Sequence, residues 1–295
     1  MSITGYKFLR PELAERLRSA EVTVRRSMDG SHQGMHHSSA FGSSVEFAEY
    51  REYQPGDPIN LIDWPVYARS DKYVIRQYHE DVSIRCFILL DISQSMQYQH
   101  KGSMSKMDFA CHLAGGLMYM LTGQGDTVSL MTFDSKLRDH FEPSGSFAHL
   151  RPMLEHLEKI ESKQQSDIES SLHLAAELIK GKAMVVVISD LLEEPDLIRR
   201  GIDHLYHDGK DLTVFHVLDP GELSLPDHGM VDVVSMETNE KIMVDLRQVR
   251  NDYLQQVRHY MNEIRSHCTD RRVYYHIART DLEIHDVLLA RSSKK

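Results

Sequence analysis

Asp91, Ser93 and Ser95 stand at alternate positions directly after the apolar run Phe87-Ile88-Leu89-Leu90. One carboxylate and two hydroxyls at that spacing can cage a hard cation such as Mg²⁺ or Mn²⁺, and with no His or Cys nearby zinc is the poorer match. The same residues have a plainer use, because an Asp that ends a strand can cap the following turn with two hydroxyls in support. A third chemistry is phosphoryl transfer, in which an Asp after the first strand of a sheet accepts the phosphoryl group. One form of it wants a second acid two residues on, where this chain has Ser93. Another wants an acidic pair upstream and a distal Lys at a strand end, and the sequence places neither. Phosphate loops of the Gly-x-x-x-x-Gly-Lys-Ser/Thr type, dinucleotide fingerprints and Gly-x-Ser-x-Gly elbows are absent from the sequence, which argues against nucleotide cofactors and serine hydrolysis.

The elements around these residues set their positions. A strand buried on both faces reads as a continuous apolar run, so residues 87–90 imply a parallel α/β sheet, and ligands bind such sheets at the carboxyl ends of the strands. The run Met184-Val185-Val186-Val187-Ile188-Ser189-Asp190 is a second strand of the same kind. Between and after them strands are predicted at 126–134, 137–141, 212–218, 241–245 and 272–278. Helices are predicted at about 105–123, 146–160, 167–181, 195–208, 247–267 and 281–291. Alternation of this kind implies right-handed crossovers and a doubly wound sheet. Ser166 reads as an N-cap opening a helix with Asp167 beside it. Asp126 and Asp134 flank one strand, and Asp134, at its carboxyl end, is either a supporting acid near the site or a solvated turn residue.

The front of the chain does not follow that rhythm. A helix is predicted over 11–28, a Gly-, Ser- and His-rich segment over 29–44, and a strand over 72–78. His32, His36 and His37 cluster in the segment 29–44; they could take a transition metal, or simply be a solvated loop. His112, His173 and His216 fall within predicted elements and read as structural. Two domains are expected: residues 1–82 as an N-terminal α+β segment of helix, loop and short strands, and residues 83–295 as the α/β domain.

Two resemblances extend these readings. Asp-x-Ser-x-Ser after a buried strand resembles the metal-ion-dependent adhesion site of von Willebrand factor A domains. That resemblance implies two further ligands, a hydroxyl residue opening a later helix and an Asp after the fourth strand. Ser166 and Asp190 stand in those places, with Ser where the family usually has Thr. The block Glu46-Phe47, Arg51-x-Tyr53-x-x-Gly56-Asp57, Ile62-Asp63-Trp64 and Ala68-Arg69 is similar to the domain-of-unknown-function 58 family, over about residues 25–220. Asn60 departs from it, standing where many relatives carry Arg. These bacterial and archaeal proteins place the block just before a von Willebrand A-like domain, and this chain resembles their short, soluble branch. The resemblance implies a mostly parallel sheet with helices on both faces. It implies Mg²⁺ (or Mn²⁺ or Ca²⁺) held by Asp91, Ser93, Ser95, Ser166 and Asp190, with an open position filled by an acidic residue of a protein partner. It also implies a non-enzymatic adaptor working beside a MoxR-type AAA+ ATPase in remodelling, assembly or metal insertion. The alternative is a metal-dependent hydrolase or phosphotransfer enzyme using the Asp91 pocket, which would need a general base that no residue obviously supplies. In the front block, Arg51, Asp57, Asp63 and Arg69 could form a charge network fastening it to the sheet, as a scaffold that holds Trp64 in a packed site or as a partner-binding surface.

Composition narrows the class. With 41% hydrophobic residues among 295 the chain can bury a substantial core, and a net charge of −10 argues against general nucleic-acid binding. Three widely spaced cysteines, Cys86, Cys111 and Cys268, suggest buried thiols and no disulfide framework. With neither a leader pattern nor a long apolar run in the sequence, a cytoplasmic protein is expected.

Overall fold

The computed structural model describes residues 5–18, 45–57, 59–80, 83–162, 164–207, 209–225, 229–234 and 241–290. They divide into a larger unit, drawn from Met1–Arg26 and Ile84–Lys295, and a smaller one within Ser27–Ser83. The chain begins in the larger unit with α1 (Pro11–Leu17) and passes to the smaller one for β1 (Val45–Glu52), α2 (Trp64–Ser70) and β2 (Val74–Glu80). Back in the larger unit follow β3 (Arg85–Asp91), α3 (Lys106–Gly123), β4 (Thr127–Phe133), β5 (Leu137–His140), α4 (Phe147–Leu157), α5 (Ile168–Leu178) and β6 (Met184–Ser189). Then come α6 (Pro195–Tyr206), β7 (Asp211–Leu218), β8 (Met230–Val234), β9 (Lys241–Asp245), α7 (Leu246–Asp270), β10 (Tyr274–Arg279) and α8 (Ile284–Leu289).

Six strands form the central sheet in the order β10-β7-β6-β3-β4-β5. All pairs are parallel except the edge pair β4–β5. The chain thus winds outward from β3 on one side, then returns to β6 and winds outward on the other, the doubly wound plan expected from the alternating pattern. Both faces are covered, so successive residues of one strand feed two cores. Ile88 and Leu90 join Val186, Ile188, Leu113 and Leu117 on the α3 face. Phe87 and Leu89 join Val185, Val187, Leu172, Ile198 and Ile264 under α5, α6 and α7. Each such side chain contributes about 1.5–3 kcal/mol on burial, which fixes the register and with it the strand ends.

Helix α3 is buried along most of its length. Gly115 lets the chain before α1 approach it: a Cβ there would lie 2.9 Å from the Phe8 carbonyl oxygen. Phe8, Leu9, Ala14 and Leu17 belong to the α3-side core, and the Lys7 ammonium lies 2.8 Å from Asp108. Residues 5–18 therefore pack into the larger unit and not with the rest of the front segment; amphipathic spacing showed a buried face but not which core receives it. Among the described residues no helix is long and apolar enough to cross a membrane. Cys86, Cys111 and Cys268 are buried free thiols.

In the smaller unit β1 and β2 pair antiparallel, with an irregularity between Phe47 and Glu49. Asp63 caps α2, accepting from the Val66 N–H at 3.2 Å, and Tyr50 donates to its other oxygen. Arg51 reaches Asp57 at 2.9 Å, and Asp57 also accepts from the Gln54 N–H, closing the turn at Gly56. Those bonds, the Arg51 hydrogen bond first, hold the Asp57 carboxyl below its ordinary value. Arg69 donates to the Pro65 carbonyl of its own helix. Among the described residues Arg51 and Asp57 close a turn and Asp63 caps a helix. Trp64 is 51% exposed and packs edge-on to Tyr67, so it does not fill a closed site. The His32, His36 and His37 cluster, residues 19–28 of the predicted first helix, and the side chains of Glu46 and Phe47 lie outside the described residues.

Candidate functional site

The strand order turns between β3 and β6, and at such a turning point loops from adjacent strand ends diverge and leave a crevice. Asp91 is the last residue of β3 and Asp190 follows the last residue of β6. The Ser93 N–H donates to Asp91 Oδ1 at 2.9 Å, and the Ser189 hydroxyl donates to Asp91 Oδ2 at 2.6 Å. The Ser93 and Ser95 hydroxyls lie 3.1 Å apart. Asp91, Ser93 and Ser95 are all buried. Burial, and then the charge of Asp190, pushes the Asp91 carboxyl up to about 7. An arrangement that turns a carboxylate toward neutrality at ordinary pH is one that a bound cation would relieve.

Asp190 is buried too, and the Lys106 ammonium sits 2.7 Å from its Oδ2. Asp190 Oδ1 is buried with no hydrogen-bond partner. Lys106 opens α3 behind the cap Ser105, which accepts from the Asp108 N–H. Its ammonium also reaches Glu222 at 2.8 Å. Glu222 in turn accepts from the Asp219 N–H, and Asp219 accepts from the backbone of His100, Lys101, Gly102 and Gly221. Burial works against the charge on Lys106, yet Asp190 and Glu222 keep its pKa above the ordinary lysine value. After Asp190 the backbone enters the left-handed region at Leu191, φ 49°, a conformation that costs of order 1–3 kcal/mol in a residue with a side chain. Three bonds hold it: the Leu191 N–H donates to Ser189 Oγ, and the Tyr260 hydroxyl and the Glu193 N–H both donate to the Leu191 carbonyl. His216 bonds the Asp190 backbone, and burial lowers its pKa to about 4, so its ring is neutral. With Nδ1 2.6 Å from the Tyr275 hydroxyl, it is a structural support, as the sequence suggested.

The third loop at this end is the one before α5. Its N-cap is Asp167, which accepts from the Ser170 N–H, and not Ser166. Asp and Ser cap about equally well, and here the carboxylate next to the helix takes the role. Ser166 is half-buried in the preceding turn, and its loop is tied to the Ser93 turn where the Gln94 N–H donates to the Gln164 carbonyl. Asp134 is not a solvated turn residue: it is buried, Arg138 pairs with it at 2.7 Å, and its carbonyl accepts from the Asp167 N–H. Arg51, Tyr53, Gly56, Asp57, Asp63, Trp64 and Arg69 all lie in the smaller unit. The sequence reading missed Lys106, Ser189, Asp219 and Glu222. Lys106 had a usable signal, since the first turn of the helix after β3 must lie at the carboxyl end of that strand; Ser189 and Asp219 had one too, as polar residues at the ends of β6 and β7, and Glu222 had none.

Among the described residues no three His, Cys, Asp or Glu side chains are placed together to hold a metal ion. A cation at the crevice would draw on hydroxyl as well as carboxylate oxygen, a donor set that suits hard divalent ions. The unpartnered Asp190 Oδ1 beside Asp91 fits such an ion.

Comparison with known proteins places the chain among relatives. A family model described as "Protein of unknown function DUF58" matches residues 49–263. The uncharacterized protein Rv1480 of Mycobacterium tuberculosis is 26% identical over 239 residues, 79% of this chain and 73% of that protein. Among solved structures, the conserved hypothetical protein BatB of Bacteroides thetaiotaomicron aligns over 72% of this chain and all of that one, at 18% identity and a TM-score of 0.45. The VWA domain of SpRpn10 aligns over 72% of this chain and 96% of that one, at 10% identity and a TM-score of 0.43. The fold assignment here rests on strand order and not on those scores.

Proposed function

This chain belongs to the DUF58 family, and from that premise and its strand-end oxygens we propose that it is a cation-dependent protein-binding module with no turnover of its own. Mg²⁺, or Mn²⁺ or Ca²⁺ in its place, is held by Asp91 and Asp190 with the hydroxyls of Ser93, Ser95 and Ser166. The observation that carries this reading is the buried, unpartnered Asp190 Oδ1 at the crevice where Asp91 is driven toward neutrality. An ion held by two carboxylates and hydroxyls keeps an appetite for one more anionic oxygen, which a partner's Asp or Glu supplies. The adaptor role beside a MoxR-type AAA+ ATPase is the finer part of the proposal and is supported by the family resemblance alone.

The test is Mn²⁺ titration of the whole chain, read as loss of the free-ion electron paramagnetic resonance signal, with Asp91→Ala in parallel. Saturable uptake by the wild type that Asp91→Ala abolishes is expected. Capture of one protein from native lysate in Mg²⁺, lost both in EDTA and in Asp91→Ala, is expected to follow. Phosphate-ester turnover that disappears in Asp91→Ala would overturn the module reading in favour of an enzyme.

A further inference from the structure

We propose that Lys106 is a built-in counter-cation that shares Asp190 with the divalent ion and holds the site's affinity for that ion low. This rests on the cation-site reading above and adds the residue that regulates it. Asp190 has two oxygens with different fates: Oδ2 is taken by the Lys106 ammonium at 2.7 Å, while Oδ1 is buried without a partner. One carboxylate is thus divided between a cation the chain supplies and one it does not.

Three features make Lys106 a fixture and not a passing contact. Its side chain is 1% exposed, so the ammonium has no solvent to retreat into. Its backbone is anchored at both ends of the turn before α3, where the Lys106 N–H donates to the Tyr98 carbonyl and Ser105 caps the helix. Its second acid, Glu222, is held from behind by the Asp219 N–H, and Asp219 by four further N–H groups. A buried ammonium in such a cradle stays charged, because withdrawing it would leave the buried Asp190 without its counter-charge and Glu222 without its ion pair.

The consequence for a divalent ion is electrostatic. The fixed positive charge on one oxygen of Asp190 repels an ion bound at the other, and at a low-dielectric site that repulsion is not screened away. The ion is bound loosely by the chain alone and tightly only when a partner adds an anion. Lys106 is in this sense a positioning residue: by holding Oδ2 it leaves Oδ1 as the oxygen without a partner and sets how far the site depends on an outside carboxylate.

The experiment uses Mn²⁺ as the probe, on the whole chain, with Lys106→Met to remove the charge at similar length. In EDTA the variant is expected to melt below wild type. Its Mn²⁺ dissociation constant is expected to fall by roughly tenfold or more, since the ion then supplies the only positive charge at Asp190. Leu113→Ala, equally buried in α3 but distant in chemistry, is expected to lower the melting temperature and leave the Mn²⁺ affinity unchanged. Should Lys106→Met fail to fold, the double variant Lys106→Met with Glu222→Gln removes the unpaired acid and carries the same expectation. Asp91-dependent Mn²⁺ binding in wild type with equal or weaker binding in the Lys106 variants overturns this proposal alone. No Mn²⁺ binding in any variant overturns the cation-site reading and this proposal together, leaving Lys106 as the site's one cation.

Discussion

In the smaller unit polar side chains find their partners close by: Arg51 meets Asp57 six residues on, Asp63 caps three residues on, and Tyr50 reaches Asp63 across 13. At the crevice between β3 and β6 the separations are 84 for Lys106–Asp190, 98 for Ser189–Asp91 and 119 for His100–Asp219. The burial differs in the same sense. Arg51 and Asp57 are 35% and 12% exposed at their side chains, with Asp63 alone buried at 4%, whereas Asp91, Lys106 and Asp190 are at most 3% exposed. Polar devices built from neighbouring residues shape a turn or a helix end and contribute little energy each, while buried charges assembled from distant segments carry large penalties if any member is lost.

That contrast can be broken by substitution, and the single tryptophan makes the units separable by eye. Trp64 fluorescence reads the smaller unit, and far-UV circular dichroism is dominated by the larger. The largest effect is expected from Lys106→Met in EDTA, a loss of about 3–5 kcal/mol in the dichroism transition, because two acids are left without their cation. A loss below 1 kcal/mol in urea unfolding would place the ammonium in solvent and undo the contrast. Ser189→Ala strips Asp91 of a donor and the strained Leu191 N–H of its acceptor, and about 1–3 kcal/mol is expected from the same transition.

Asp219 sharpens the comparison through pH. Burial opposes its ionisation, but the four backbone N–H groups prevail and hold its carboxyl below the ordinary range. A depressed carboxyl stabilises the fold above its unfolded value of about 4 and loses that contribution as pH falls through the lower folded value. Asp219→Asn is therefore expected to lower the urea midpoint at pH 7 by an amount that shrinks toward pH 3. A constant gap across that range would show that the charge of Asp219 is not what the four N–H groups recognise. The smallest effects belong to the smaller unit. Asp63→Ala is expected to cost about 1 kcal/mol in the fluorescence transition and nothing in the dichroism one. Arg51→Ala is expected to cost less than about 1 kcal/mol. A shift of the dichroism midpoint by either would mean that the two units unfold together.

Much of the larger unit was legible before any coordinates. The runs ending at Leu90 and Ile188 have no polar interruption, and only a strand covered on both faces tolerates that, so β3 and β6 fall where the sequence puts them. Helix boundaries were less certain because competing caps look alike: Ser166 and Asp167 are neighbours with the same capability, and the acid won. The strand Val45–Glu52 alternates Glu, Tyr and Arg with apolar residues too irregularly to stand out, and its ladder with β2 is what defines it. Of the crevice, Asp91, Ser93, Ser95 and Asp190 were readable, since a polar residue ending a buried strand has nowhere else to go.

The sequence by itself determined the strands of the central sheet, most of the helices, and most of the carboxylates and hydroxyls at the strand ends, because each follows from local periodicity and from the exclusion of polar groups from a two-faced core. Only the tertiary structure decided that Lys106 lies on Asp190, that Ser189 donates to Asp91, that residues 5–18 complete the α3 core, and that Asp134 is neutralised by Arg138. The first three depend on which strands become neighbours and how the crossovers bring distant loops together; the last depends on the bend between β4 and β5. Such pairings leave no periodic trace, because any buried lysine or serine satisfies local rules equally well wherever the fold happens to deliver its partner.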